Sequence, residues 1–85
     1  MRCIAILDSS NYLYKLDSVL KAKGYNFEVV STPCHIAKGG CGLSLKFPEE
    51  FLQAVIDESI ESNTPIREVY RIIPTFSKNK YKRIK

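Results

Sequence analysis

No stretch of the 85 residues is long enough or apolar enough to span a bilayer. The N-terminal run Met1-Arg2-Cys3-Ile4-Ala5-Ile6-Leu7 stops at Asp8, and no small-residue cleavage site follows it, so it does not read as a secretory leader and a cytoplasmic protein is expected. Cysteine is scarce and odd in number, three in all, which argues against a disulfide-stapled secreted domain. There is one histidine and there are four glycines. There is no internal repeat and no linker, and a chain of this length makes one domain that buries only around 60–65% of its unfolded surface.

The scarce residues are concentrated in one place. Thr32-Pro33-Cys34-His35-Ile36-Ala37-Lys38-Gly39-Gly40-Cys41-Gly42 holds two of the three cysteines, the histidine and three of the four glycines. Glycines let backbone amides approach a ligand closely, and a cysteine among them lacks bulky neighbours to shield it. In a reducing compartment such paired cysteines point to catalysis, redox chemistry or metal before structure.

Charge is also unevenly spread. Of the net +4, Lys78, Lys80, Lys82, Arg83 and Lys85 supply +5, leaving the remainder near −1. The expectation is a near-neutral domain over residues 1–74 and a flexible basic tail over 75–85, either solvated or in contact with nucleic acid or an acidic partner.

Hydrophobic periodicity orders the chain as βαββαβ. Residues 2–7 read as a buried strand. Ser9-Ser10-Asn11 is an N-cap cluster for a helix over 10–23 that carries Tyr12, Leu13, Leu16, Val19 and Leu20 and stops at Gly24. Residues 25–31 read as a second strand. Leu43, Leu45 and Phe47 alternate with Ser44 and Lys46 in a half-buried third strand. Pro48-Glu49-Glu50 opens a second helix with Phe51, Leu52, Val55, Ile56 and Ile60 as its apolar stripe. Residues 67–73 read as a fourth strand ended by Pro74. The expected fold is α+β, a ferredoxin-like sandwich of four antiparallel strands with two helices on one face. The third strand would lie between the first and second, which brings Cys41 beside Ser9, Ser10 and the start of the first helix.

Helix N-termini carry unpaired amides and about half a positive charge, collect anions and stabilise thiolates. Lys38 and His35 add positive potential. Cys41 is therefore the candidate reactive thiol, and Ser9, Ser10, Gly39, Gly40 and Gly42 are the candidate anion cradle. Cys34 and Cys41, with six residues between them, could approach within disulfide range, though the spacing is not Cys-x-x-Cys. Cys34, His35 and Cys41 offer three metal ligands and no fourth, so no metal site is expected. Cys3, inside the first strand, reads as a small core residue. The bland alternative is a glycine-rich hairpin whose cysteines are incidental, with a surface histidine and two serines that only cap a helix.

The run Ser31-Thr32-Pro33 … Gly40-Cys41-Gly42-Leu43-Ser44-Leu45-Lys46-Phe47 resembles the small domain family labelled putative selenium/sulfur carriers (domain of unknown function 3343). The resemblance covers residues 1 to about 73, and its specific part is Thr32-Pro33 with Gly40-Cys41-Gly42-Leu43. It implies that Cys41 carries sulfur or selenium and that partners lie among cysteine desulfurases and sulfur-relay proteins. The chain departs from the pattern in having Cys34 where arginine is common, and in the doubled Gly39-Gly40.

The leading expectation is thus a carrier, rather than a turnover enzyme, that holds a terminal chalcogen on Cys41, with Cys34 as resolving thiol and no cofactor beyond the transient sulfur or selenium. A thiol–disulfide switch using Cys34 and Cys41 is the second reading. A small nucleic-acid- or protein-binding module is the third, weakened because no run of sheet-face aromatics appears in the first or third strand.

Overall fold

The computed structural model describes residues 1–33, 36 and 42–85. Its elements in order are β1 (Arg2–Leu7), α1 (Ser10–Ala22), β2 (Glu28–Ser31), β3 (Leu43–Pro48), a 3-10 turn (Glu49–Phe51), α2 (Leu52–Glu61), β4 (Ile66–Pro74) and β5 (Asn79–Arg83). The strands form one sheet in the order β2-β3-β1-β4-β5, and every pairing is antiparallel.

β1 is central, and its alternate side chains face two different cores. Cys3, Ala5 and Leu7 point toward the helices and pack with Leu13, Leu16 and Leu20 of α1, Val55 of α2, and Leu45, Phe47 and Val69 of the sheet. Ile4 and Ile6 point the other way and pack with Ile36 and Tyr70. The period-2 geometry of a strand requires this split, and an apolar residue at each of positions 3–7 satisfies it.

Both helices end in the same way. At the end of α1, Tyr25 N–H bonds to the Leu20 carbonyl at 2.9 Å and Gly24 N–H to that of Lys21 at 3.0 Å, with Gly24 at φ +93°. At the end of α2, Thr64 N–H bonds to the Ser59 carbonyl at 2.9 Å and Asn63 N–H to that of Ile60 at 3.2 Å, with Asn63 at φ 59°. Each is a Schellman cap that needs a left-handed residue, and glycine and asparagine tolerate that conformation best.

Four sequence expectations are corrected. The sheet has five strands rather than four, because residues 79–83 of the expected tail pair with β4 through Tyr70↔Arg83, Ile72↔Tyr81 and Pro74↔Asn79. Lys80, Lys82 and Arg83 obscure the strand in the sequence, yet charged residues suit an edge strand because they discourage pairing with further chains. Tyr81 packs on the helix-free core and Ile84 on the helix-side core, so the segment has an apolar contact on each face.

The second strand starts at Glu28 and not at Tyr25. Tyr25 and Phe27 instead join Phe51 and Phe47 in an aromatic cluster with centroids 5.5–5.9 Å apart. Ile60, expected in the buried stripe of the second helix, is 72% exposed, and Ser59 is buried in its place with its hydroxyl donating to the Ile56 carbonyl at 2.7 Å. Ser44, expected on a solvated face, is fully buried, with its hydroxyl paired to that of buried Thr32 from the end of the neighbouring strand.

Candidate functional site

The segment 32–42 is anchored where β2 leaves the sheet and β3 enters it. β2 and β3 pair in register as far as Ser31↔Leu43, and Thr32 N–H then bonds to the Gly42 carbonyl at 2.9 Å. The Thr32 and Ser44 hydroxyls meet at 2.5 Å, both residues being buried. The segment therefore springs from a closed hairpin base with a polar lock inside it. Pro33 C=O accepts from Ile36 N–H at 3.1 Å, and Ile36 packs on Ile4, Ile6 and Tyr70.

The base stands at the end of the sheet where α1 begins. Ala5 pairs with Leu45, so two residues further along the antiparallel register Leu7 is level with Leu43. Ser9 is the N-cap of α1 in extended backbone (φ −149°, ψ 159°), and its hydroxyl accepts from Tyr12 N–H at 3.3 Å. Leu13 N–H bonds to the Ser9 carbonyl at 3.2 Å. Ser10 is the first helical residue and is exposed. The first turn of α1 holds no acidic side chain, so its positive end is not neutralised from within the helix. Asp8, immediately before it, stands 3.8 Å from Arg67.

Of the residues singled out from sequence, Ser9, Ser10 and Gly42 are thus gathered at one end of the sheet. Cys34, His35, Lys38, Gly39, Gly40 and Cys41 lie outside the described residues. Gly42 needs comment. It is exposed, its φ lies outside the left-handed range, and a Cβ added there would meet nothing within 4 Å. Neither backbone strain nor crowding among the described residues calls for glycine at that position.

The sequence reading missed Thr32 and Ser44 as a pair. The signal available was weak: two hydroxyl residues that become cross-strand neighbours only once the register is known. Ile36, in addition, ties the segment to the helix-free side of the sheet.

Cys3 behaves as a core residue. It is fully buried, and burial, reinforced by the nearby Glu49 carboxylate, pushes its thiol above the usual range, with Arg71 opposing. Arg71 grips Glu49 by two bonds, Nε to Oε1 at 2.8 Å and NH2 to Oε2 at 2.7 Å. That paired donation holds the Glu49 carboxyl below its ordinary value. Among the described residues no group of three or more His, Cys, Asp or Glu side chains could hold a metal ion. No helix among them is long and apolar enough to cross a membrane.

The family model described as "Putative Se/S carrier protein-like" matches residues 2–71. The chain belongs to that family. The match runs from the first residue of β1 into β4, so it takes in the whole segment 32–42 and stops short of β5. No curated protein and no solved structure matches the chain. In this Se/S carrier family member, β5 lies at the sheet edge outside the matched region.

Proposed function

We propose that the protein carries a terminal sulfur or selenium atom on Cys41, as a persulfide or selenosulfide. The observation that carries this reading is the family match over residues 2–71. Its support in the fold is the hairpin base, where Thr32 and Gly42 hold the two ends of the segment together beside the N-terminus of α1. Cys34 is two residues past one end and Cys41 directly precedes the other. We read the architecture as a ferredoxin-like sandwich extended by β5.

In loading, the Cys41 thiolate attacks the terminal sulfur of a donor persulfide. The new S–S bond forms as the donor's S–S bond breaks, the donor leaves as a thiolate, and no net oxidation occurs. In release to a thiolate acceptor, the reverse exchange moves the same sulfur onward. Alternatively the Cys34 thiolate attacks the inner sulfur of the Cys41 persulfide, expels hydrosulfide and leaves a Cys34–Cys41 disulfide, which a thiol reductant then reopens. The amides at Ser9 and Ser10 and those of Gly39, Gly40 and Gly42, with Lys38 and His35, would stabilise the anionic cargo. A cysteine desulfurase or a sulfur-relay protein is the fitting donor, in the cytoplasm, where thiols stay reduced.

The test is intact mass after incubation with a desulfurase charged with cysteine or selenocysteine. A gain of one sulfur or one selenium, mapped to Cys41, is expected. Cys41→Ser should abolish loading, while Cys34→Ser should keep loading and slow release. Loading on Cys34 alone would reverse the assignment. A loss of two hydrogens without chalcogen gain would favour the thiol–disulfide switch.

A further inference from the structure

Two cations on the helix-free side of the sheet make no ion pair among the described residues. Arg2 lies opposite Pro48, and Ile4 lies opposite Lys46, so Arg2 and Lys46 are diagonal neighbours on one face, with Cβ atoms roughly 7 Å apart. Glu28 stands opposite Lys46 on β2 and is exposed, yet it makes no ion pair with it. Side chains this long, from these positions, can converge on a single carboxylate.

The two cations border a hollow of about 280 Å³ whose wall is Met1, Ile72 and Pro74, with Asn79 beside them. That volume is close to the lower end of small-ligand sites. A second hollow of about 150 Å³ adjoins it, shares Lys46, Ile72 and Asn79, and continues over Ile4 and Val30 to Pro33. An apolar cup with two cations and an amide at its rim suits a carboxylate attached to an apolar side chain. A channel that continues past the cup suits more chain behind that carboxylate.

We propose that this groove binds the free C-terminus of a partner protein in extended form. The terminal carboxylate sits between Arg2 and Lys46, the last side chain, an apolar one, lies against Ile72 and Pro74, and the preceding residues run over Ile4 and Val30 toward Pro33. Charge complementarity selects the carboxylate, and the adjoining hollow selects a peptide over a lone small acid. The site is independent of the sulfur chemistry and stands or falls without it.

The probe is the tetrapeptide acetyl-Ala-Ala-Val-Leu as its free acid, titrated into the ¹⁵N-labelled full chain and followed by amide shifts. Shifts at Lys46, Ile72 and Asn79 are expected. The C-terminal amide of the same peptide should bind at least about tenfold more weakly, the loss typical of a charge-assisted contact. N-acetyl-leucine should bind more weakly than the tetrapeptide acid. Arg2→Gln and Lys46→Gln should each weaken the acid several-fold and leave the amide unchanged. Equal affinity for acid and amide in the wild-type chain would overturn the proposal without recourse to any variant. So would the absence of shifts at these three residues. N-acetyl-leucine binding as tightly as the tetrapeptide would overturn the assignment to a protein C-terminus and leave a small-carboxylate site.

Discussion

The hydroxyls of Thr32 and Ser44 lie 2.5 Å apart inside the protein, on the two chain segments that open and close the cysteine-bearing loop. Each has the other as its partner across strands, and both are shielded from water. Removing either hydroxyl breaks this bond in a place closed to solvent.

Thr32→Val or Ser44→Ala alone should therefore cost about 0.5–1.5 kcal/mol, the net contribution of one intramolecular hydrogen bond. The double variant should be less destabilised than the sum of the two, because both single variants remove the same bond. Urea unfolding of the four proteins checks this. Simple additivity would show that the two hydroxyls do not rely on each other.

Gly42→Ala should leave stability within about 0.5 kcal/mol or raise it slightly, because the position is open and its backbone is unstrained. If chalcogen loading falls while the melting temperature holds, glycine at 42 serves the ligand rather than the fold. A clear drop in melting temperature would mean that the local backbone does demand glycine.

Deleting residues 79–85 removes β5 along with the contacts of Tyr81 and Ile84. Two half-buried side chains of that size contribute about 2 kcal/mol or more, so the truncated chain should melt earlier and bind more of a hydrophobic dye at the bared Ile72. An unchanged melting temperature would show that β5 adds nothing to the stability of the sheet.

Glu49 and Cys3 set opposite pH limits. The folded-state carboxyl of Glu49 is held below its unfolded value of about 4.5 by Arg71. Its contribution is present above that value and is lost as pH falls through the lower folded value. Glu49→Gln should flatten the acid limb of a melting-temperature profile. The Cys3 thiol is raised above its unfolded value of about 9.0 by burial. Its contribution is complete below that value and is lost as pH rises toward the folded one. Cys3→Ala should flatten the alkaline limb. Variants whose limbs match the wild type would remove these two groups as the cause.

Period and punctuation in the sequence determined the element order from β1 to β4. The apolar stripe of Leu13, Leu16 and Leu20, the stop at Gly24 and the alternation of Leu43, Leu45 and Phe47 each act within a few residues, and local geometry is enough to express them. The same holds for Ser9 as the cap of α1. The clustering of Cys34, Cys41 and three glycines was legible as composition alone.

Tertiary structure decided what depends on contacts between distant residues. β5 is a strand because Tyr81 finds Ile72 and Ile84 reaches the helix-side core, and neither partner is visible from within a basic run. Ser44 is buried where its hydroxyl meets that of Thr32, a cross-strand contact that strand periodicity cannot register. Arg2 and Lys46 are 44 residues apart in the chain and become neighbours only through the β1–β3 register. A periodic pattern reports which way a side chain faces along its own element, whereas the choice of what it meets there belongs to the packing of the whole chain.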